Sequence, residues 1–225
     1  MKRRNQQHWF WIAAGIAAVA LIPLLRNGWI AGRIARVADS VLAGDDRPTQ
    51  AVGGSVADGD TFSTLDGEAV RLLGIDAPEH GELFSQQAKR RLRELVVGRE
   101  VDLVYDVEKT DRYGRLLCHV HADGLWVNKA LVSEGLANVY IVRPNLDKTA
   151  ELVSAQKAAR TRKAGIWSVP PPSPEPYYLR SKNSFRFHRP SCKLAREISP
   201  KNAVKLTNRE AALDAGLSPC RTCRP

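Results

Sequence analysis

The chain has 225 residues, of which 44% are hydrophobic, and a formal net charge of +10. This length allows one medium domain with a small one, or two small domains, and the apolar content suffices for a packed core. The sequence has no internal repeat and only one proline-rich cluster, which excludes a repeat array and a low-complexity chain.

The positive charge is concentrated at the two ends of the chain. Residues 1–50 carry 7 Lys/Arg against 3 Asp/Glu, and residues 179–225 carry 11 against 3, whereas residues 51–169 carry 16 against 17. A basic tail indicates binding to a polyanion or to an acidic membrane surface. A merely soluble basic surface is the alternative.

An uncharged, apolar run covers residues 9–25 and follows a short basic segment, residues 1–8. Its length of about 26 Å as a helix is near the lower limit for a bilayer core. The run predicts a transmembrane signal-anchor helix in a single-pass protein of the cell membrane, with residues 1–8 cytoplasmic and the C-terminal domains extracytoplasmic. The alternative is a leader cleaved after Ala18-Val19-Ala20, which would give a secreted or periplasmic protein.

Residues 26–50 are predicted to be a linker, and Gly44–Gly54 has linker composition. Residues 51–169 are predicted to form one domain. Its first two strands, Val56–Leu65 and Ala69–Ile75, are joined by a tight turn at Asp66-Gly67. Further strands are predicted at 101–107, 116–121 and 125–127, and helices at 84–97, 128–134 and 146–162. Five short strands with interleaved and appended helices predict an α+β fold, built on a small, partly open barrel of the OB type.

Five segments of this domain carry a family resemblance: VADGDTF, VRLLGIDAPE, TDRYGR, DGLWVNKALVSEGLANV and AGIW. In this order and spacing they resemble the staphylococcal thermonuclease family over nearly all of residues 55–167. The resemblance implies an OB-type barrel that hydrolyses phosphodiester bonds of DNA and/or RNA with calcium (Ca2+) as cofactor.

Two of these segments contain aspartates whose carboxylate oxygens could bind such a cation. Asp60 and Asp76 are suitable carboxylate ligands for calcium, a hard cation that prefers oxygen and accepts loose geometry. The resemblance adds the main-chain carbonyl of Ala77, where staphylococcal nuclease has threonine. A backbone ligand tolerates that change, so the predicted calcium ligands are Asp60, Asp76 and Ala77.

The predicted catalytic residues are Arg71, Glu79 and Arg115. Arginine keeps its charge and offers parallel donors to a phosphate, so Arg71 and Arg115 are interpreted as phosphate clamps. Glu79 is the candidate general base, or the residue that orients the attacking water. The resemblance implies release of the 5′-oxygen, which leaves a 3′-phosphate product.

Three further residues are predicted to bind the substrate. Arg112 and Tyr113 match positions that hold the terminal phosphate of a nucleotide in staphylococcal nuclease, with arginine here in place of lysine. Tyr140 is a candidate for stacking on a base.

Residues 170–177 are rich in proline and are predicted to be a stiff spacer that keeps two domains apart. The remaining module, residues 178–225, is short and polar, so we expect it to need a staple rather than a hydrophobic core. Four candidate ligands occur with the spacing H-x3-C-x27-C-x2-C, namely His188, Cys192, Cys220 and Cys223. This pattern predicts structural zinc (Zn2+), and a disulfide is the alternative.

The same spacing and the ending PCRTCRP resemble the metal-binding domain of the alkylation-response protein Ada. In that domain the first cysteine accepts a methyl group, but His188 occupies its place here. Methyl transfer is therefore rejected, while zinc binding in a small α+β module is retained. Residues 208–213 resemble the short helix before the last ligand pair.

These patterns together predict a membrane-anchored, calcium-dependent nuclease with a basic, zinc-binding tail. DNA and/or RNA and the membrane are its predicted partners, and no protein partner is inferable. The alternatives are a catalytically silent nucleic-acid-binding protein on the same barrel, or an accessory protein in DNA uptake or repair.

Overall fold

The computed structural model describes residues 47–170 and 173–225. The predicted anchor helix at 9–25 and most of the predicted linker lie outside these residues. Within the described ranges, no helix combines the length and the apolar character that crossing a membrane requires. Residues 50–225 belong to one compact unit.

Five strands form a barrel in the order β3-β2-β1-β5-β6, and a parallel pairing of β3 with β6 closes it. The strands are β1 (Gln50–Val56), β2 (Thr61–Thr64), β3 (Ala69–Leu72), β5 (Glu100–Thr110) and β6 (Leu116–Ala122). The predicted OB-type barrel of five strands is confirmed, but it is closed rather than partly open, and it contains β1 instead of the strand predicted at 125–127.

Short strands and helices pack around the barrel. Strand β7 (Leu125–Trp126) pairs with β6, and β4 (Ile75–Asp76) pairs with β8 (Asn138–Val139). Three helices pack on it: α1 (Ser85–Val96), α2 (Val127–Ser133) and α3 (Thr149–Thr161). The buried face of α1 includes Ala88, Leu92 and Val96, the apolar positions that predict this helix.

Strand β1 occupies part of the glycine-rich stretch that was interpreted as a linker. A Cβ atom on Gly53 would lie 2.0 Å from the carbonyl oxygen of Val96 at the end of α1. Glycine is thus needed here for close packing of the strand on the helix, and not for flexibility.

Asn128 connects three elements of the barrel. The sequence pattern predicts it as a helix cap, but it lies inside α2 and is fully buried. Its side chain accepts a hydrogen bond from the Val120 amide at 2.9 Å and donates to the carbonyls of Leu73 (2.9 Å) and Cys118 (3.2 Å). The amide therefore satisfies buried backbone groups of two neighbouring segments, which a cap would not.

The C-terminal module is a four-stranded sheet in the order β11-β9-β10-β12, with two short helices. Its elements are β9 (Tyr178–Ser181), β10 (Arg186–His188), α4 (Lys193–Arg196), β11 (Ala203–Leu206), α5 (Arg209–Asp214) and β12 (Ser218–Pro219). The side chain of Asn208 caps α5 by accepting from the Ala211 amide at 2.7 Å. The short helix predicted at 208–213 is therefore present.

This module packs against the barrel and has a small core of its own. Tyr178, Phe187 and Leu213 are buried in it, and the partly buried barrel-side residue Trp167 packs against them. Phe185 also packs against the main core of the barrel. Two expectations are therefore wrong: that the proline-rich segment keeps the domains apart, and that the tail lacks an apolar core. Both missed this packing because it joins residues that are distant in the sequence.

Candidate active site

A cavity of about 710 Å³ lies where the β2–β3 hairpin, the 111–115 turn and the C-terminal module meet. All nine side chains or carbonyls predicted for calcium, catalysis and substrate line it: Asp60, Arg71, Asp76, Ala77, Glu79, Arg112, Tyr113, Arg115 and Tyr140. The hairpin explains part of this convergence. Asp60 immediately precedes β2, and Arg71 on β3 pairs with Thr61, so strand register brings the two side chains together.

Asp60 is held rigidly at the base of the cavity. One carboxylate oxygen, Oδ2, accepts a hydrogen bond from the Ala77 amide at 2.7 Å, and the other accepts from the Thr61 hydroxyl at 3.2 Å. Burial raises the pKa of Asp60 to about 6, although the nearby Arg71 guanidinium opposes that shift. An additional positive charge beside this carboxylate would favour its ionised form.

Arg71 bridges the two aspartates. Its Nη2 lies 3.1 Å from Oδ2 of Asp60 and 3.4 Å from Oδ1 of Asp76, and its Nη1 donates to the Leu72 carbonyl at 2.8 Å. The side chain is only 14% exposed, so few other orientations are open to it. The guanidinium is therefore preorganised beside the two carboxylates.

Arg115 lines the same cavity but has a different partner. Its Nε and Nη2 contact Oδ2 of Asp111 at 2.8 and 2.7 Å, and its amide donates to Oδ1 of Asp111. Gly114, with φ of +79°, supplies the left-handed turn that returns Arg115 to Asp111. The structure thus brings Arg115 into the cavity without pairing it with Asp60 or Asp76.

The predicted substrate-binding residues lie at the rim of the cavity. Tyr113 is 68% exposed, and its hydroxyl accepts a hydrogen bond from Arg112 at 2.6 Å. The Tyr140 ring lies 4.5 Å below the guanidinium carbon of Arg186, a residue of the C-terminal module. These rings and guanidinium groups form a cationic, aromatic rim of the kind that single-stranded nucleic acid binds.

Arg221, on the C-terminal module, is a residue of this cavity that the sequence analysis missed. Its Nε and Nη2 contact Oδ2 and Oδ1 of Asp76 at 3.0 and 2.5 Å, and Nη2 also contacts the Ala77 carbonyl at 3.3 Å. Its Nη1 pairs with Oε1 of Glu79. Arg221 is 145 residues from Asp76 in the sequence, so no local pattern predicts their contact. The excess of basic residues in the tail was the one signal in the sequence that could have indicated it.

The donor set suits the calcium that the resemblance implies. Asp60, Asp76 and the Ala77 carbonyl offer only oxygen atoms, which are the ligands that calcium prefers. Two of these three groups already attract a cation, because the Arg221 guanidinium contacts Asp76 and Ala77. The residues present therefore fit the cation.

The four predicted zinc ligands converge in the C-terminal module. One ligand atom from each of His188, Cys192, Cys220 and Cys223 can be chosen so that all lie within 4.8 Å of one another. Within this cluster, Cys192 Sγ and His188 Nδ1 are separated by 3.6 Å. Bonds of about 2.0–2.3 Å to a tetrahedral zinc place its ligand atoms about 3.3–3.8 Å apart, so a small contraction of this cluster would suit the ion.

No disulfide joins these thiols, since Cys192, Cys220 and Cys223 are all free in the structure. The fourth cysteine, Cys118, is fully buried in the barrel. Burial raises the pKa of the Cys118 thiol to about 12, which makes it unreactive.

Comparison with known proteins finds one matching family and several relatives described as nucleases. Residues 69–169 match the family described as staphylococcal nuclease homologue. The chain is similar to an uncharacterized endonuclease of Escherichia coli (37% identity, covering 53% of this chain and 77% of that protein). It is also 36% identical to the thermonuclease of Staphylococcus hyicus, in a match that covers 50% of this chain and 72% of that protein. It is 34% identical to the micrococcal nuclease of Shigella flexneri, in a match that covers 57% of this chain and 80% of that protein.

The similarity is confined to about half of this chain in each case. An uncharacterized Bacillus anthracis protein shares 34% identity over 51% of this chain, and the match covers 58% of that protein's length.

Proposed function

The chain belongs to the staphylococcal nuclease family, and we propose that it is a calcium-dependent nuclease that hydrolyses phosphodiester bonds of DNA, RNA or both. The observation that carries the proposal is the position of Arg71 between Asp60 and Asp76, at 3.1 and 3.4 Å. A phosphate clamp beside two carboxylates, in a cavity with a cationic rim, suits the binding and cleavage of a phosphodiester.

Asp60, Asp76 and the Ala77 carbonyl would hold the calcium. When bound, it would supply the positive charge that polarises the scissile phosphate. Arg71 donates hydrogen bonds to the phosphate oxygens on which negative charge builds. Arg115 would join it by exchanging its contact with Asp111 for the phosphate, since both groups present negatively charged oxygens to which a guanidinium can donate two hydrogen bonds.

Glu79 orients the attacking water and accepts its proton. Its side chain is 55% exposed at the cavity mouth, so solvent reaches it. The reaction forms a bond from the water oxygen to phosphorus and breaks the bond to the 5′-oxygen. The 5′-oxygen leaves with the electron pair of the broken bond and takes a proton from solvent to become a 5′-hydroxyl, and the 3′-phosphate remains on the other fragment. Tyr140 and Tyr113 would position the neighbouring nucleotides.

Cleavage of single-stranded DNA and RNA by the full chain tests the proposal. We expect cleavage with calcium, loss of at least about 100-fold in rate with a calcium chelator, and full recovery when calcium is restored in excess. Products labelled at their ends should carry a 3′-phosphate. Binding of both nucleic acids without cleavage at any calcium concentration would instead identify a silent binding protein.

We further propose that the chain is anchored in the membrane through residues 9–25, with the nuclease on the extracytoplasmic side. The uncharged run in the sequence supports this anchor. A calcium site with a dissociation constant of about 10⁻⁴–10⁻³ M, the range of extracellular modules, would be occupied outside the cell. Alkaline extraction of membranes, with the N-terminus of the extracted protein sequenced, separates an anchor from a cleaved leader.

We also propose that His188, Cys192, Cys220 and Cys223 bind structural zinc. The purified full chain should contain one zinc per chain, and denaturation should release four titratable thiols. Cys223→Ser should abolish the zinc, whereas Cys118→Ala should retain it, because Cys118 is buried in the barrel core. A wild-type chain with no zinc and only two thiols would show a disulfide instead.

A further inference from the structure

Arg221 contacts the same groups that are proposed to hold the catalytic cation. We propose that Arg221 competes with calcium for this centre, so that the C-terminal module sets the calcium concentration at which the nuclease works. This inference rests on the proposed function. It adds a regulatory residue that lies outside residues 69–169, the part of the chain that matches the family.

The competition follows from the individual contacts. The Arg221 guanidinium binds both carboxylate oxygens of Asp76, at 3.0 and 2.5 Å, and reaches the Ala77 carbonyl at 3.3 Å. Its remaining terminal nitrogen pairs with Glu79. A cation bound by Asp76 and Ala77 would approach the same oxygen atoms and would be repelled by the positive guanidinium beside them, so each weakens the binding of the other.

The charges of the site lead to the same conclusion. Three acids, Asp60, Asp76 and Glu79, face three arginines. These arginines are Arg71, Arg221 and Arg186, whose Nη2 lies 3.6 Å from Oδ2 of Asp76. The cluster is therefore close to neutral without a metal. A divalent cation added to it would be repelled by the guanidinium groups unless one of them left.

Arg221 is the arginine best able to leave. Its side chain is 39% exposed, compared with 14% for Arg71 and 20% for Arg186. It can therefore move into solvent, whereas Arg71 is held by the Leu72 carbonyl as well as by the two aspartates. Displacement of Arg221 would also free Glu79 to act on water.

The C-terminal module determines where Arg221 lies. In the sequence, Arg221 lies between Cys220 and Cys223, two of the four candidate zinc ligands. The turn that contains it is closed by a hydrogen bond from the Arg224 amide to the Cys220 carbonyl at 2.8 Å. The side chain of Arg224 reaches the barrel separately, through Glu82 at 2.7 Å. Arg224 therefore serves as a matched control, because it bridges the same two modules away from the cavity.

Calorimetric titration of the full-length protein with Ca2+ tests the inference. Arg221→Ala should bind calcium about ten-fold more tightly than the wild type, because a charge-assisted, two-point contact no longer has to be broken. Arg221→Lys should show a smaller gain, since it keeps the charge but loses the two-point geometry. Arg224→Ala should leave the calcium affinity unchanged.

The calcium concentration for half-maximal cleavage should fall in parallel in Arg221→Ala. Zinc content and circular dichroism report whether each variant retains the fold, and Arg221→Gln replaces Arg221→Ala if the latter unfolds. Equal or weaker calcium binding by folded Arg221→Ala and Arg221→Gln would overturn the competition while leaving a calcium-dependent nuclease intact. An absence of calcium binding and of cleavage in every variant would instead defeat the proposed function, and this inference with it.

Discussion

Replacement of Arg71 by alanine is expected to lower kcat about 1000-fold at saturating calcium. The guanidinium is fixed beside both aspartates, so its donors need no reorganisation when charge develops on the phosphate. Removal of one such preorganised donor group typically costs a factor of about 10²–10³, and Arg71 offers two donor nitrogens together with a full charge.

Arg71→Lys should recover little of this activity, because an ammonium group cannot contact Asp60, Asp76 and a phosphate in a planar, two-point manner. The matched control is Arg99→Ala, which removes an arginine from an exposed pair with Asp123. Single-turnover kinetics at saturating substrate separates the chemical step from binding. Wild-type rates in folded Arg71→Ala would exclude a role of Arg71 in the chemistry.

Glu79→Gln is expected to lower kcat by about 10²–10⁴, the usual contribution of a positioned general base. Glutamine has nearly the same shape but cannot accept the proton from water at neutral pH. Because the side chain is 55% exposed, we expect the free energy of unfolding to change by less than about 0.5 kcal/mol.

The rate is measured across pH for Glu79→Gln and for the control Glu94→Gln, a surface acid paired with Arg91. The control should have the wild-type profile, whereas Glu79→Gln should lose the limb that reports ionisation of the base. Calcium binding should persist in Glu79→Gln, since Glu79 is not a proposed ligand. Unchanged kcat in this variant would assign activation of the water to another group in the cavity.

Local patterns in the sequence predicted much of the barrel. The Asp66-Gly67 turn, the alternation in β5 and β6 and the apolar stripe of α1 depend on neighbouring residues, which one segment of sequence contains. The boundaries of α3 were less well predicted, with residues 146–148 excluded from the helix. Lys148 adopts a left-handed conformation there, with φ of +57°, and Thr149 begins the helix.

The nine residues predicted for calcium, catalysis and substrate binding all line one cavity, but the atoms that their side chains contact could not be predicted. The pairing of Arg115 with Asp111 depends on the conformation of the 111–115 turn. The burial of Asn128 depends on the approach of two carbonyls from the segments at Leu73 and Cys118. In each case the residue type was apparent from the sequence, whereas the atom it contacts was decided by the fold.

The amino-acid sequence alone was enough to predict the candidate groups of both sites. These are two aspartates, a glutamate and two arginines in family order, and four residues spaced as metal ligands. Tertiary structure alone decided the closure of the barrel by β3 and β6 and the entry of Arg221 into the nuclease cavity. The two kinds of feature differ in the sequence distance over which the interactions that produce them act. Turn, strand and helix preferences act over a few residues, whereas the contact of Arg221 with Asp76 joins groups 145 residues apart and exists only because two modules pack together.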